Sequence, residues 1–297
     1  MKRLVGRLPP RLRRRIRDAT GHAPDELLVR GGVLLALLSS AAFFVVPLYW
    51  LLSAAFRSPE GMSIPPRLVP VEPSIHHLVA VLETTPFVTY FVNSLVVSAA
   101  TVLLTLAVAT PAAYALAWYD VPLRRHLMVV LLVVQMIPVI AMVIPLYRLF
   151  ALLSLLDTLA VLVVANTVLV VPVAIWLLTG YFDTLPAGLE EAARVGGASR
   201  IRAFGVIVPL ARPALSAVSL YAFVVSWNQF VLPLTFTSSR AVRTVPLGLY
   251  GFVSRYGVVD WGLLGAASLL AVLPVLVLFA LFQNQFLAGV VGSGYGR

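Results

Sequence analysis

Long runs of apolar residues, separated by short polar segments, make up most of the chain after residue 32. A hydrocarbon core about 30 Å thick is crossed by roughly 20 apolar helical residues. Six runs without a charged side chain reach that length: 33–52, 87–118, 127–147, 158–182, 213–239 and 261–286. Strands of a membrane barrel would instead alternate in polarity over about 10 residues. The pattern therefore predicts an all-α, polytopic membrane helix bundle of about six transmembrane helices.

Composition and charge agree with a membrane protein. Hydrophobic residues make up 60% of the chain and charged residues only 11%, against about 25% charged in soluble domains. The net charge of +10 could suggest nucleic acid as a partner, but nine of the 22 basic residues lie within residues 1–30. We interpret this Arg-rich arm as a cytoplasmic segment that faces membrane lipids, and we expect no nucleic-acid partner.

The distribution of basic residues also predicts the orientation. With the N-terminus inside, cytoplasmic segments collect 16 positive charges and outer segments six, in the sense of the positive-inside rule. We expect a multi-pass protein with both termini in the cytoplasm. The predicted organisation is the arm (1–30), a transmembrane domain (31–290) with one long cytoplasmic loop (184–210), and a cytoplasmic tail (291–297).

Several kinds of chemistry are excluded or disfavoured by residue type. The chain has no cysteine, so it forms no disulfide and has no thiol nucleophile or thiolate ligand. Its only lysine is Lys2, so a phosphate-binding loop with its essential lysine is impossible, and any ATP hydrolysis must come from another polypeptide. His76, His77 and His126 have no second ligand at metal spacing, and we expect all three at the surface.

Polar side chains and prolines interrupt the later apolar runs. The amides and indole that we single out as candidates for a translocation pathway are Gln135, Asn166, Trp227, Asn228 and Gln229. Amides facing lipid are costly, so we expect them to face other helices, either in interhelical hydrogen bonds or along a polar route for a solute. No Asp, Glu, Lys, Arg or His lies in a central run, which disfavours an ion-coupled pump.

The long cytoplasmic loop has a helical pattern of its own. The segment Leu189-Glu190-Glu191-Ala192-Ala193-Arg194 is strongly helix-forming, and Gly196-Gly197 would end that helix. A second short helix can then run toward Pro209. The loop is either a rigid helix–turn–helix that a soluble partner grips or an ordinary connection.

This loop resembles the EAA loop of binding-protein-dependent ABC importer permeases. The family pattern is Glu-Ala-Ala, three residues, Gly, nine residues and Ile-x-Leu-Pro. Glu191-Ala192-Ala193 with Gly197 fits its first part but leaves the run to Pro209 one residue short. The register that uses Glu190 and Gly196 fits the spacing but changes Glu-Ala-Ala to Glu-Glu-Ala. We prefer the first, because Leu-Pro-x-x-Leu upstream also matches the family.

Other stretches extend the resemblance over roughly residues 30–290. Asn93-Ser94-Leu95 is similar to the start of the family's second span, and Trp227-Asn228-Gln229-Phe230 through Pro233 to a motif of carbohydrate permeases. Asp260-Trp261-Gly262 through Gly289 resembles the end of the smaller, six-span permease of maltose-type systems. The tail after Gly289 departs from the family's Gly-Leu-Thr-Ala-Gly-x-Val-Lys-Gly, so its contact with an ATPase is not carried over.

The resemblance implies a permease subunit, not an enzyme, in the prokaryotic cytoplasmic (inner) membrane. Its partners would be a second permease, two ATP-binding-cassette ATPase subunits and an extracytoplasmic solute-binding protein. ATP and Mg would be bound by the ATPase, with no cofactor in this chain. The residues implied to couple to the ATPase are Glu190, Glu191, Ala192, Ala193, Gly196 and Gly197. The solute would be a sugar, oligosaccharide or glycerol-phosphate-like compound. One alternative is an ion-coupled secondary transporter, for which we see neither an intramembrane ionisable group nor inverted repeats. The other is a passive channel or membrane scaffold, which would leave the loop unexplained.

Overall fold

The computed structural model describes residues 24–58, 73–186, 188–252 and 259–292. The Arg-rich arm as far as residue 23 and the tail from residue 293 lie outside these ranges. Within them, the backbone is helical apart from turns, short connections and isolated bridge residues such as the pair Arg57 and Pro73. The predicted all-α class is confirmed.

The α-helices of the described ranges are numbered in chain order. They are α1 (Pro24–Ala55), α2 (His76–Thr84), α3 (Phe87–Trp118), α4 (Arg124–Val134), α5 (Val139–Leu152), α6 (Leu159–Phe182), α7 (Leu189–Val195), α8 (Arg200–Ile207), α9 (Arg212–Trp227), α10 (Val231–Phe236), α11 (Val245–Tyr250) and α12 (Trp261–Gly292). Short 3₁₀ turns at Val208–Ala211 and Arg240–Val242 connect α8 to α9 and precede α11.

Within the described ranges, five helical segments are long and apolar enough to cross a membrane, and a bent pair makes up to six. The five lie in α1, α3, α6, the continuous stretch from α8 to α9, and α12. The helix α3 has 32 residues and is therefore about 48 Å long at 1.5 Å per residue. That exceeds a hydrocarbon core of about 30 Å, so α3 extends beyond the lipid or is tilted.

The sequence pattern predicts one helix for the third apolar run, but the structure has two. These are α4 and α5, which meet at an angle of 97°. Pro138 has no N–H to donate and its ring clashes with the carbonyl four residues earlier, at Val134. The helix α4 ends at that residue, a turn of i→i−3 hydrogen bonds follows, and Pro138 adopts an extended conformation at the start of α5.

The fifth run is interrupted for the same physical reason. The run was predicted to be continuous over 213–239, but α9 ends at Trp227 and α10 begins at Val231. Pro233 excludes a regular helical hydrogen bond to the carbonyl of Gln229. The side-chain Oε1 of Gln229 instead accepts a hydrogen bond of 3.2 Å from the backbone N–H of Val231.

The bundle is built around α3 and α6, and α9 packs against both. One apolar cluster lies where α3, α6 and α8 meet and contains Tyr114, Phe182 and Ile207. A second joins α3, α9 and α12 around Trp227, and a third joins α5, α6 and α10 around Phe236. The helix α12 also packs closely on α1 at Gly265, where a Cβ would lie 2.7 Å from the carbonyl oxygen of Leu51.

The prediction that all three outer and loop histidines lie at the surface was wrong for His77. Its side chain is 6% exposed, on α2, and its ring lies against Gly262 at the start of α12. Gly262 has no side chain, and this leaves the space that the imidazole fills. His76 beside it is exposed.

Candidate functional site

The loop over 184–210 forms the helix–turn–helix that its sequence predicted. Glu190 and Glu191 lie in the first turn of α7, where carboxylates are favoured by the helix dipole. At the other end, the N–H of Gly197 donates to the carbonyl of Arg194 (2.9 Å) and the N–H of Ala198 to the carbonyl of Ala193 (3.0 Å). This pair of bonds is the Schellman arrangement that closes many helices.

Gly197 is the left-handed residue of that arrangement, with a φ of 86°. A residue with a Cβ is strained in this conformation, whereas glycine adopts it freely. Gly196 has an ordinary φ of −73°. After the turn, the hydroxyl of Ser199 accepts a hydrogen bond from the N–H of Arg202 (3.4 Å) and caps α8.

The two glutamates of α7 have different environments. Glu191 is exposed, whereas Glu190 is 7% exposed. The Glu190 carboxylate interacts electrostatically with the hydroxyl of Tyr114 on α3. Within the part of the chain that the structure describes, neither Oε1 of Glu190 nor that hydroxyl has a partner at hydrogen-bonding geometry. Glu190 therefore belongs to the join between the loop and the bundle, and Glu191 to the loop's outer surface.

Aromatic side chains fix the loop to the spans. The ring of Tyr114 packs edge-on against Phe204 of α8 at 5.1 Å and against Phe182 of α6 at 5.8 Å, and it stacks on Trp118 at 5.9 Å. We call Tyr114, Trp118, Tyr119, Phe182 and Phe204 the aromatic cluster. Sequence reasoning missed it, because its members come from three segments of the chain and only the fold brings them together.

Two charged contacts reinforce the same join. The guanidinium of Arg200 lies 5.1 Å from the ring centre of Tyr119, as in a cation–π interaction. Arg124 at the start of α4 forms a salt bridge of 2.6 Å with Asp183 just after α6. Through Phe204 and Arg200, α8 is thus packed on the C-terminal end of α3.

Several apolar residues of the loop are exposed in this single chain. Val195 at the end of α7 is 90% exposed, Ile201 of α8 83% and Val206 61%. Ala192 and Gly196 are also exposed. Exposed apolar residues that form a contiguous patch commonly mark sites of protein–protein contact, which makes these residues candidates for one.

The five candidate pathway residues have different environments in the structure. Trp227 is buried, and its indole N–H donates to the carbonyl of Ala271 (3.2 Å). Asn166 is 1% exposed and donates to the carbonyl of Leu162 in its own helix (2.8 Å). Asn228 is exposed and donates to the carbonyl of Val224 (2.9 Å).

Gln135 and Gln229 are brought together by the fold. Both line one cavity of about 140 Å³, which also includes Tyr221 of α9. Gln135 is otherwise exposed on the single chain and Gln229 is half-buried. The prediction that some of these side chains line a solute pathway stays a prediction. Among the residues that the structure describes, no group of three or more His, Cys, Asp or Glu could hold a metal ion.

Comparison with known proteins gives a consistent family. The family model described as "Binding-protein-dependent transport system inner membrane component" matches residues 109–291. The trehalose/maltose transport system permease protein MalG of Thermococcus litoralis is 31% identical, over 90% of this chain and 95% of that protein. The diacetylchitobiose uptake system permease protein DasC of Streptomyces coelicolor is 34% identical, over 84% and 91%.

A solved structure has the same fold. A chain of a bacterial ABC transporter involved in the import of the acidic polysaccharide alginate matches with a TM-score of 0.79. The match covers 89% of this chain and 98% of that chain at 20% identity. Neither the family nor the fold favours a secondary transporter or a passive channel. The chain belongs to the family of binding-protein-dependent transport system inner membrane components, and it is a permease of an ABC importer.

Proposed function

We propose that this permease forms half of the translocation pathway of an ATP-driven carbohydrate importer. Relatives named for trehalose and maltose, diacetylchitobiose and galactooligosaccharides support the solute class. Its partners are a second permease subunit, two ATP-binding-cassette ATPase subunits that bind ATP and Mg, and an extracytoplasmic solute-binding protein. The chain itself does no covalent chemistry.

The observation that carries this proposal is the helix–turn–helix α7–α8. Its outer side exposes Val195 and Ile201, and its inner side is fixed to the spans by the aromatic cluster. In our proposal, Glu191, Ala192 and the turn at Gly197 seat in a cleft of the ATPase, while Glu190 and Ala193 hold the helix in place. Closure of the two ATPases then moves α8, and the bundle rocks between inward- and outward-facing states.

The exposed amides fit a pathway that two subunits share. Gln135 and Asn228 are exposed on the isolated chain, although amides facing lipid are costly. We assign them to the face that meets the second permease, with Gln229 beside them. Asn166 and Trp227, both buried and bonded to backbone carbonyls, support the helices that carry this face.

Two experiments test the proposal. Affinity purification of the tagged chain from its own membranes should recover an ATPase and a binding protein, and proteoliposomes of that complex should import a labelled sugar only with ATP. Reporter fusions near Arg124, near Arg200 and after Tyr295 should all read cytoplasmic. An external signal at Arg200 contradicts the assignment of α7–α8 as the ATPase contact.

Gly197→Asp is the sharpest single change. It puts a bulky, charged side chain at the turn residue, whose φ of 86° is adopted more readily by glycine than by a residue with a Cβ. Import should be abolished, through loss of the ATPase or through uncoupled hydrolysis. Gly205→Ala is the matched control, because it adds a methyl group in α8 where nothing lies within 4 Å. Normal coupling in Gly197→Asp would mean that the loop is merely a connection.

A further inference from the structure

Two broken spans meet at one cavity. Gln135 directly follows the last residue of α4, before Pro138, and Gln229 lies in the break between α9 and α10. Both side chains line the cavity of about 140 Å³. At membrane depth, non-helical backbone is tolerated where it is buried in protein or lines a polar cavity. In transporters, such discontinuous helices commonly form the site for the solute.

The hydrogen bonds that the two glutamines already make fix which atoms remain for a ligand. Gln135 uses its Nε2 to donate to the carbonyl of Leu169 (2.8 Å), which leaves its Oε1 as an acceptor. Gln229 uses its Oε1 to accept from Val231, which leaves its Nε2 as a donor. Because each partner is a backbone group of known kind, the orientation of both amides follows from the contacts.

The rest of the lining is neutral. Tyr221 supplies a hydroxyl that makes no hydrogen bond within the described ranges, and Met142, Val168 and Val225 supply apolar surface. Among the described residues, those that line the cavity include no Asp, Glu, Lys, Arg or His. Transferring a charged group into such surroundings is costly, whereas neutral hydroxyls can exchange water for the amides.

We propose that this cavity is a subsite for a single neutral sugar ring of the transported solute. Its volume is well below the roughly 300–1,000 Å³ of pockets that enclose drug-sized ligands, so it holds one ring of a longer saccharide. Gln229 Nε2 donates to a ring hydroxyl, Gln135 Oε1 accepts from another, and Val225 packs on a C–H face. This inference rests on the proposed carbohydrate function, and it excludes a phosphate or carboxylate on the ring that occupies the subsite.

The absence of cysteine from the chain allows a direct test. The complete complex, with its ATPase and binding-protein partners, is reconstituted with Val225→Cys as the only cysteine of this subunit. Labelling by a small, charged methanethiosulfonate reports access to the cavity. Val218→Cys is the control, because Val218 is 0% exposed on the same helix and should not be labelled.

Labelled trehalose, maltose and diacetylchitobiose are first offered to wild-type proteoliposomes, and an imported sugar is then used for protection. We expect that sugar to slow labelling of Val225→Cys, and its uronic-acid analogue to leave labelling unchanged.

In the Val225→Cys background, Gln135→Ala should raise the sugar concentration for half-protection by about 2- to 10-fold, as expected for one lost hydrogen bond. Gln229→Glu, which keeps the acceptor for Val231 but removes the donor, should lose protection. Ser219→Ala, which removes a hydroxyl bonded within its own helix, should behave as wild type.

The outcomes separate the two proposals. If none of the three sugars is imported, the carbohydrate assignment fails. If a sugar is imported but does not protect Val225→Cys, or protects it equally well in Gln135→Ala and Gln229→Glu, the subsite is wrong and the importer assignment stands. Equal protection by the neutral and acidic sugars would also overturn the subsite, because its specificity rests on a lining without charge.

Discussion

The side chain of Asn93 on α3 donates a hydrogen bond of 2.9 Å to the backbone carbonyl of Arg243, 150 residues later in the chain. The same Nδ2 group donates to the carbonyl of Ala241 at 2.7 Å. Next to it, the hydroxyl of Ser94 accepts from the N–H of Val245 at 2.8 Å. The start of α3 thus holds the connection between α10 and α11 by three bonds to its backbone.

Asn93→Ala should loosen this connection. Two hydrogen bonds are lost, each worth about 1 kcal/mol, so local opening should rise by about 10- to 30-fold. Limited trypsin digestion after Arg240 and Arg243 in reconstituted protein measures that opening. Thr89→Ala is the control, because Thr89 is an exposed side chain one turn earlier on α3. Equal digestion of the two variants would show that other contacts hold the connection.

The contact of Asn93 shows where prediction from sequence ends. The six apolar segments could be predicted, because membrane thickness sets their length whatever their neighbours are. The end of α7 at the Gly196-Gly197 pair could also be predicted, because a left-handed helix terminus strongly favours glycine. The contacts of Asn93 could not be predicted, because the residues around it in sequence do not indicate the carbonyls of Ala241 and Arg243, which lie about 150 residues later.

The prolines show a second limit. Pro138 and Pro233 accompany breaks, whereas Pro172 lies inside the unbroken helix α6. The residue type is the same, and the outcome depends on whether surrounding helices satisfy the freed backbone groups. For this reason the sequence singled out Gln135 and Gln229 by polarity but not their meeting at one cavity.

Asp157 predicts a dependence on acid. Its carboxylate accepts hydrogen bonds from the backbone N–H groups of Ser239 and Ser238, both 2.9 Å, and these bonds lower its pKa. A lowered pKa in the folded state means that the stabilisation is present above the ordinary carboxylate pKa of about 3.9. It is lost as pH falls through the lower, folded value.

Asp157→Asn tests this, because asparagine tolerates the φ of 59° at this position and keeps one acceptor oxygen. The variant should exchange the amide hydrogens of Ser238 and Ser239 faster than wild type at pH 6. As pH falls below about 4, where protonation removes the wild-type advantage, the two proteins should converge, after correction for the intrinsic pH dependence of exchange. A difference that persists undiminished in acid would contradict the role of the charge.

The contact between His77 and Gly262 predicts a pairwise coupling. Gly262→Ala would place a Cβ within the imidazole, and overpacking of this kind typically costs about 1–3 kcal/mol. His77→Ala in the same chain should restore much of the loss, whereas the exposed His76→Ala should not. Thermal unfolding in detergent of the wild type, Gly262→Ala, His77→Ala and the double variant measures the coupling. Additive effects of the two changes would mean that His77 moves away freely.

The contact between His77 and Gly262 also predicts that stability depends on pH, nearer to neutral pH than the effect of Asp157. Burial lowers the pKa of His77, and the charge of Asp260 offsets this in part while His76 adds to it. The buried neutral form therefore stabilises α2 against α12 above the ordinary histidine pKa of about 6.5. That stabilisation is lost as pH falls through the lower, folded pKa. His77→Gln should reduce the pH dependence of unfolding between about pH 7 and 5.

A change in the aromatic cluster can distinguish binding of the ATPase from coupling of its hydrolysis to sugar import. Phe204 of α8 packs edge-on against Tyr114 of α3, with ring centres 5.1 Å apart. Phe204→Ala removes this contact, and an aromatic pair is worth about 0.5–1.5 kcal/mol beyond its buried area. The outer surface of α7 is unchanged in this variant. We therefore expect the ATPase to stay bound and to hydrolyse ATP while sugar import per ATP falls.

Val195→Asp is the complementary change, because Val195 is 90% exposed at the end of α7 and is not a member of the aromatic cluster. It should release the ATPase and lower hydrolysis and import together. Phe204→Tyr, which keeps the ring, should stay close to wild type. The measurement is the ratio of sugar imported to ATP hydrolysed in proteoliposomes, with the bound ATPase quantified in the same preparation. If Phe204→Ala keeps the wild-type ratio, α8 moves the spans through contacts other than Tyr114; if it loses the ATPase, the cluster shapes the docking surface itself.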